Sequence, residues 1–338
     1  MTIFTRLTAA AVLATGLAAS AVPALADRED PKEINFGIIA TENSSAQREK
    51  WGPFLKALEA DLGMPVKPFF AADYAGVIEA MRFDKVDIAW YGNKSGMVAV
   101  DRAGAEIFAQ TTESNGDQGY WSVMVTHKDS GLSYEDVMKC DKSLNFGLGD
   151  PNSTSGFLVP STFIFAKEGV DPKECFKIVR NANHETNLIS VATKQVDAAV
   201  ASSGGLYKRL KLAKPELFAE IKEIWRSPLI ASDPMAWRPE LNKDLKAKIM
   251  SFFMTYGRLG SDAEVTKARE ILAMIDMGPF VPSSNAQLWP FYEMDQIRQR
   301  MSIQGDDTFS QSEKKEKIAK IDEKIADIRR AAEARPRK

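Results

Sequence analysis

The chain has 338 residues, 44% of them hydrophobic, and its 44 Lys and Arg stand against 46 Asp and Glu for a net charge of −2. These values describe a soluble globular chain of about two domains, and the lack of a positive excess argues against a nucleic-acid partner. Two Cys (Cys140, Cys175) and two His (His127, His184) with no close ligand spacing make no recognisable metal site.

At the N-terminus, Arg6 precedes an apolar stretch from Leu7 to Val22, and Ala24-Leu25-Ala26 has the small-x-small form of a signal-peptidase site. Residues 1–26 therefore read as a signal peptide cleaved after Ala26, leaving a mature chain that begins at Asp27 in the periplasm of a two-membrane bacterium. No other run approaches the roughly 18 apolar residues of a spanning helix. Short apolar strands then alternate with amphipathic helices: Ile34 to Ala40, a helix through Trp51, Phe54, Leu55 and Leu58, and Val66 to Ala71. This is α/β patterning. Asp73-Tyr74-Ala75-Gly76 opens a helix through Val77, Ile78 and Met81, followed by the strand Val86-Asp87-Ile88-Ala89-Trp90.

Cys140 and Cys175 each precede a predicted strand, Leu144 to Leu148 and Phe176 to Arg180. If those strands are parallel neighbours the cysteines meet and, in an oxidising compartment, form a bridge; otherwise they are two buried thiols. Between them lies Gly149-Asp150-Pro151-Asn152-Ser153-Thr154-Ser155-Gly156, where the first of these strands hands over to a predicted helix, Phe157 to Lys167. Unpaired N–H groups of a first helical turn and three hydroxyls make an anion receptor without a lysine. The alternative is an ordinary N-cap. A second copy of the earlier unit follows: His184-Glu185-Thr186 opens a helix through Leu188, Ile189 and Val191, and Val196-Asp197 begins its strand twelve residues after His184, as Val86-Asp87 does after Tyr74. The repeat predicts two similar α/β lobes whose helix-initiating loops face one cleft at the carboxyl ends of parallel strands, with Tyr74 and His184 as counterparts. A chance match of Val-Asp pairs is the competing explanation.

Several motifs in order resemble the periplasmic phosphonate-binding proteins that serve ABC-type importers: Asn35-Phe36-Gly37-Ile38-Ile39, Asp73 to Gly76, Met81-Arg82-Phe83, Val86 to Asn93, Gly119-Tyr120-Trp121-Ser122-Val123, Gly149 to Pro160, His184 to Asn187, Lys194 to Asp197 and Ser227-Pro228-Leu229-Ile230. The resemblance runs to about Gly257. It implies a two-lobed type II periplasmic binding fold with a ligand cleft between the lobes. The crossings are expected near Val125 to Lys128 and Pro228 to Pro234, giving residues 27–126 and 230–284 to the first lobe and 127–229 to the second. It further implies no cofactor, a permease and its ATPase as partners, and phosphonate oxygens held by Tyr74, Tyr120, Ser153, Thr154, Ser155 and His184, the last cationic if the anion raises its pKa. Trp90, Trp121, Trp225 and Trp237 read as core packing or cleft wall.

The other end of the ligand departs from the aminoethylphosphonate binders, in which two acidic residues face an ammonium group. Asp233 matches one of them, whereas Gly204 stands where the second is expected. Aminoethylphosphonate, methylphosphonate and phosphite all remain candidates, and Gly204→Glu is expected to favour the amine. From about Asn285, residues 285–338 read as a charged helical tail in which Ile318, Ile321, Ile325 and Ile328 form a coiled-coil-like stripe, suited either to a homodimer or to packing back on a lobe. Two other functions compete: an oxyanion or phosphate receptor that signals to a sensor, and a hydrolase with Ser153 or Ser155, His184 and Asp197 or Asp150 as a triad. No Gly-x-Ser-x-Gly elbow supports the hydrolase.

Overall fold

The computed structural model describes residues 31–334. The expected signal peptide with its cleavage point, and residues 335–338 of the tail, lie outside the described residues. Among the described residues no helix is long and apolar enough to cross a membrane.

β1 (Ile34–Ile38), β2 (Val66–Phe70) and β3 (Ile88–Trp90) pair in parallel, and β4 (Glu106–Glu113) adds to their sheet. The chain then passes through the two-residue β5 (Gly119–Tyr120) into a second sheet of β6 (Ser122–His127), β7 (Asn145–Gly149), β8 (Ile178–Ala182), β9 (Ala198–Ser202) and β10 (Ile221–Arg226). It returns through β11 (Ile230–Ala231) to β12 (Pro234–Trp237) and β13 (Met277–Pro282) of the first sheet. The strand orders are β13-β4-β12-β3-β1-β2 and β10-β6-β9-β7-β8. Each lobe thus repeats one parallel trio, β2-β1-β3 and β8-β7-β9, capped by an antiparallel strand that arrives from the other side of the crossing.

β5 and β11 pair antiparallel as a narrow ribbon joining the lobes. Gly119 is required there, because a Cβ on it would stand 2.5 Å from the Ile230 carbonyl oxygen. The return to the first sheet runs through β11 to β12, between Ile230 and Pro234. The first crossing does not lie at 125–128: β6 sits between β9 and β10 inside the second sheet, so the chain changes lobes between Glu113 and Ser122, ahead of the expected boundary at residue 126. The buried run Val123-Met124-Val125 reads as one more core strand and gives no sign of which lobe it serves.

The repeated Val-Asp pair has a structural reason. Asp87 accepts from the Asn35 N–H at 2.8 Å and returns its own N–H to the Asn35 carbonyl at 2.9 Å. In the second lobe Asp197 does the same with Asn145, at 2.7 and 3.0 Å. Each aspartate sets the register between the first and third strands of its trio. The helices that follow the second strands also start alike: Asp73 accepts from Gly76 N–H at 2.8 Å and Asn183 from Thr186 N–H at 2.9 Å, N-caps that satisfy an orphan donor. They make Tyr74 and His184 the first residues of the helices Tyr74–Arg82 and His184–Ala192.

The first lobe's core centres on Phe54, which contacts the rings of Phe36, Trp51, Phe252, Phe253 and Phe280 at 5.7–6.2 Å. The tail forms two helices, Trp289–Gly305 and Gln311–Glu333, packed against each other and tied by Arg300 to Asp322 at 2.8 Å and Arg329 to Glu293 at 2.8 Å. Ile321 and Ile325 of the stripe are buried and Ile318 and Ile328 half-buried, so the stripe faces the chain's own helix. Phe291, from the first tail helix, joins Leu158, Val159 and Ile230 in a cluster behind the ribbon.

Candidate ligand-binding site

Tyr74, Tyr120, Ser153, Thr154, Ser155, His184, Gly204 and Asp233 all line one cavity of ≈ 60 Å³ between the lobes, a space for a small ligand. The hydroxyl run is part of the helix rather than its approach: helical winding begins at Thr154, three residues before the expected Phe157. The first turn is wide, with the Leu158 N–H reaching the Ser153 carbonyl five residues back at 3.1 Å, a geometry frequent at functional sites. Glycines allow it, since a Cβ on Gly149 would stand 2.4 Å from the Gly156 Cα. Ser153 is indeed an N-cap, accepting from Gly156 N–H at 3.0 Å, which leaves its hydroxyl proton to donate. Ser122 Oγ donates to the Ser155 carbonyl at 2.6 Å, and Thr154 Oγ1 accepts from the Lys94 N–H of the other lobe at 2.9 Å.

His184 Nδ1 accepts from the Ser202 N–H at 3.2 Å, so the neutral ring carries its proton on Nε2. Burial, with the nearby Arg209 charge, pushes its pKa down to about 3. His184 is therefore a neutral Nε2–H donor in this cavity. A triad is also disfavoured: among the described residues no carboxylate orients the imidazole, Asp197 is engaged with Asn145, and Asp150 accepts from Asn152 N–H at 2.7 Å and Tyr74 N–H at 3.3 Å. Burial, and next the Asp233 charge, hold the Tyr74 and Tyr120 hydroxyls above the usual phenol range, so both stay protonated donors. Tyr120 donates to Asp233 Oδ1 at 3.0 Å. Asp233 itself is pushed up to about 7 by burial, which Tyr120 partly offsets.

Two cavity residues bring polar groups that the sequence did not mark as ligand contacts. Trp90 packs its ring 5.4 Å from Trp51, as a core tryptophan does. Yet its buried Nε1 lacks a partner in hydrogen-bond geometry, although it stands close enough to Asp233 to favour that carboxylate. Arg209, within the helical turn Gly205–Leu210, reaches across to the first lobe: Nη1 donates to Thr41 Oγ1 at 2.9 Å, and Nε lies 3.0 Å from Asp276 Oδ2 in an ion pair that lacks hydrogen-bond alignment. A lone arginine beside Lys208 carries no sequence signal that separates this role from a solvated surface. Further contacts close the cleft: Lys208 to Glu113 at 2.7 Å, and Asn43 N–H and Nδ2 to Glu185 Oε2 at 2.9 and 3.0 Å.

Away from the cavity, Cys140 and Cys175 are joined as a disulfide, ahead of the paired β7 and β8 and so at the end opposite the cleft. His127 Nδ1 accepts from Asp129 N–H at 3.1 Å and Nε2 lies 3.3 Å from Glu220, so both ring nitrogens are occupied by protein partners.

The family model described as "ABC transporter, phosphonate, periplasmic substrate-binding protein" matches residues 36–288. The phosphonates-binding periplasmic protein of Escherichia coli K12 is 43% identical over 309 residues, covering 91% of this chain and 89% of that one. A phosphate-import protein of Mycolicibacterium smegmatis is 29% identical over 254 residues, covering 72% and 78%. A crystal structure of the binding-protein component of a Pseudomonas aeruginosa phosphonate ABC transporter superposes with a TM-score of 0.85 at 47% identity, covering 90% of this chain and 99% of that one. The chain belongs to the family of periplasmic substrate-binding proteins of phosphonate ABC transporters, a family of transport receptors rather than enzymes.

Proposed function

We propose that the mature chain, freed of its signal peptide after Ala26, captures a small phosphonate in this cavity and delivers it to the permease and ATPase of an importer. The observation that carries the reading is the set of neutral donors converging from both lobes: the hydroxyls of Tyr74, Ser153, Thr154 and Ser155, the His184 Nε2–H and the N–H groups of the turn that begins at Thr154, joined by the Tyr120 hydroxyl when it turns from Asp233 to a ligand oxygen. Such donors suit P–O oxygens, and the helix N-terminus favours negative charge. Asp233 and Gly204 border the end where the substituent lies. The tail serves a monomer, its isoleucine stripe being covered within the chain, and sedimentation should give the mass of one chain.

Calorimetric titration with methylphosphonate, aminoethylphosphonate, phosphite and phosphate tests the reading. Saturable binding of a phosphonate, tighter than that of phosphate, is expected. Either His184→Ala or Thr154→Ala should weaken every ligand by about tenfold, the effect of one lost hydrogen bond to a charged group. Preference for phosphate would point to the oxyanion-sensing alternative, and release of phosphate from a phosphonate would overturn the receptor role.

A further inference from the structure

We propose that Arg209 sets the ligand class within this receptor reading: the site accepts phosphonates with a small, uncharged substituent and disfavours those that carry an ammonium group. Six charged residues border the cavity: Glu42, Lys50, Glu113, Arg209, Asp233 and Asp276. Glu42 is paired with Lys50 at 2.7 Å and Glu113 with Lys208 at 2.7 Å. That leaves Arg209, ion-paired with Asp276 at 3.0 Å, as the cation that also acts on Asp233.

Its placement bears on the substituent end. Gly204 has no side chain, and a Cβ built on it would stand 3.7 Å from Arg209 Nη2. A guanidinium, not a carboxylate, therefore adjoins the space beside Gly204. It is held there from the opposite lobe by Thr41 and Asp276. Asp276 adopts φ 61° where it meets Arg209. The Arg209 charge also acts on Asp233, Tyr74 and His184. An ammonium seeking Asp233 would share a small cavity lined by buried residues with that guanidinium, where like charges repel more than in water. A methyl group or hydrogen meets no such repulsion, while the phosphonate oxygens still gain from the cation.

The same distance revises the expectation for Gly204→Glu. A glutamate there falls within reach of Arg209 and pairs with it, so the single change should not create an ammonium site.

Titration of wild type, Arg209→Gln, Gly204→Glu and the double variant with methylphosphonate, aminoethylphosphonate and phosphonoacetate tests the proposal. Wild type should prefer methylphosphonate over aminoethylphosphonate by about tenfold or more. Arg209→Gln, which keeps a donor near Thr41 and frees Asp276, should shrink that ratio by about tenfold. Gly204→Glu alone should leave aminoethylphosphonate no tighter, whereas the double variant should bind it better than either single one. Equal binding of the two ligands by wild type overturns the proposal, as does a loss in Arg209→Gln that is the same for both, which would make Arg209 a closure contact alone. Tighter binding of phosphonoacetate than of methylphosphonate overturns the uncharged class. Failure of every phosphonate to bind wild type overturns the receptor reading and this proposal with it, whereas binding without discrimination overturns this proposal alone.

Discussion

The Trp90 indole N–H is buried in the cavity wall beside Asp233 but out of hydrogen-bond alignment with it, and a ligand oxygen would relieve part of the roughly 1–3 kcal/mol that an unsatisfied buried donor costs. Trp90→Phe keeps an aromatic ring against Trp51 and removes the donor. Affinity for every phosphonate should then fall about threefold to tenfold by calorimetry, with the thermal midpoint unchanged or higher; unaltered affinity would show that no ligand oxygen uses this donor. The residue was illegible as a ligand contact because the apolar strand Ile88–Trp90 is also true core, and pattern alone does not reveal which way the polar edge of an indole turns. Asp233 makes a second case. An open carboxyl ionises near pH 4, whereas burial raises Asp233 to about 7, so the shut cavity holds it largely neutral between those values. An incoming anion favours the neutral form further. Binding therefore takes up a proton: it is strongest below about pH 4, where the open carboxyl is already protonated, and weakens as pH rises from there through about 7. Asp233→Asn fixes the uncharged state, and its dissociation constant should vary less than that of wild type between about pH 6 and 8 when both are titrated with the same ligand. Equal slopes would remove Asp233 from the linkage.

At the scale of elements, the legible parts were those whose signals are local. The N-caps Asp73 and Asn183 and the turn at Ser153 stand directly before their helices, and the two Val-Asp pairs recur because each aspartate clasps an asparagine at the start of a neighbouring strand. The first crossing was illegible because a two-residue strand, β5, has no periodicity, while β6 is sealed within its sheet. Arg209 was illegible because its partners Thr41 and Asp276 come from the other lobe, and only closure brings them together. The disulfide illustrates what an element can hold apart from the site. Cys140 and Cys175 are 35 residues apart, and on the chain-entropy model closing such a loop stabilises the fold by about 4 kcal/mol. Replacing both with Ser should lower the thermal midpoint of the apo protein, whereas its dissociation constant at 25 °C should not change, because the bridge lies beyond the opposite ends of β7 and β8. A weakened ligand with an unchanged midpoint would contradict this separation of stability from binding.

Across the whole molecule, the shut cleft rests on contacts that divide into two groups. One passes through the cavity wall, as where Thr154 Oγ1 accepts from the Lys94 N–H. The other lies at the rim, where Asn43 donates twice to Glu185, itself held by Lys214 at 2.8 Å. A ligand must enter while the lobes are apart, pivoting on a ribbon only two residue pairs wide, so rim contacts form after capture and should govern escape rather than entry. Glu185→Ala tests this without removing any of the proposed oxygen donors. Hydrogen bonds to a charged group contribute about 1.5–3 kcal/mol; with Glu185 partly exposed, about 1 kcal/mol is the reasonable expectation. Stopped-flow measurements should therefore show dissociation about fivefold faster at an unchanged association rate, the usual division when a contact is absent from the encounter. A slower association at unchanged dissociation would mean that Asn43 and Glu185 meet before the ligand is seated. A faster association would mean that they hold the empty receptor shut, so that opening limits capture and the rim gates entry instead of escape.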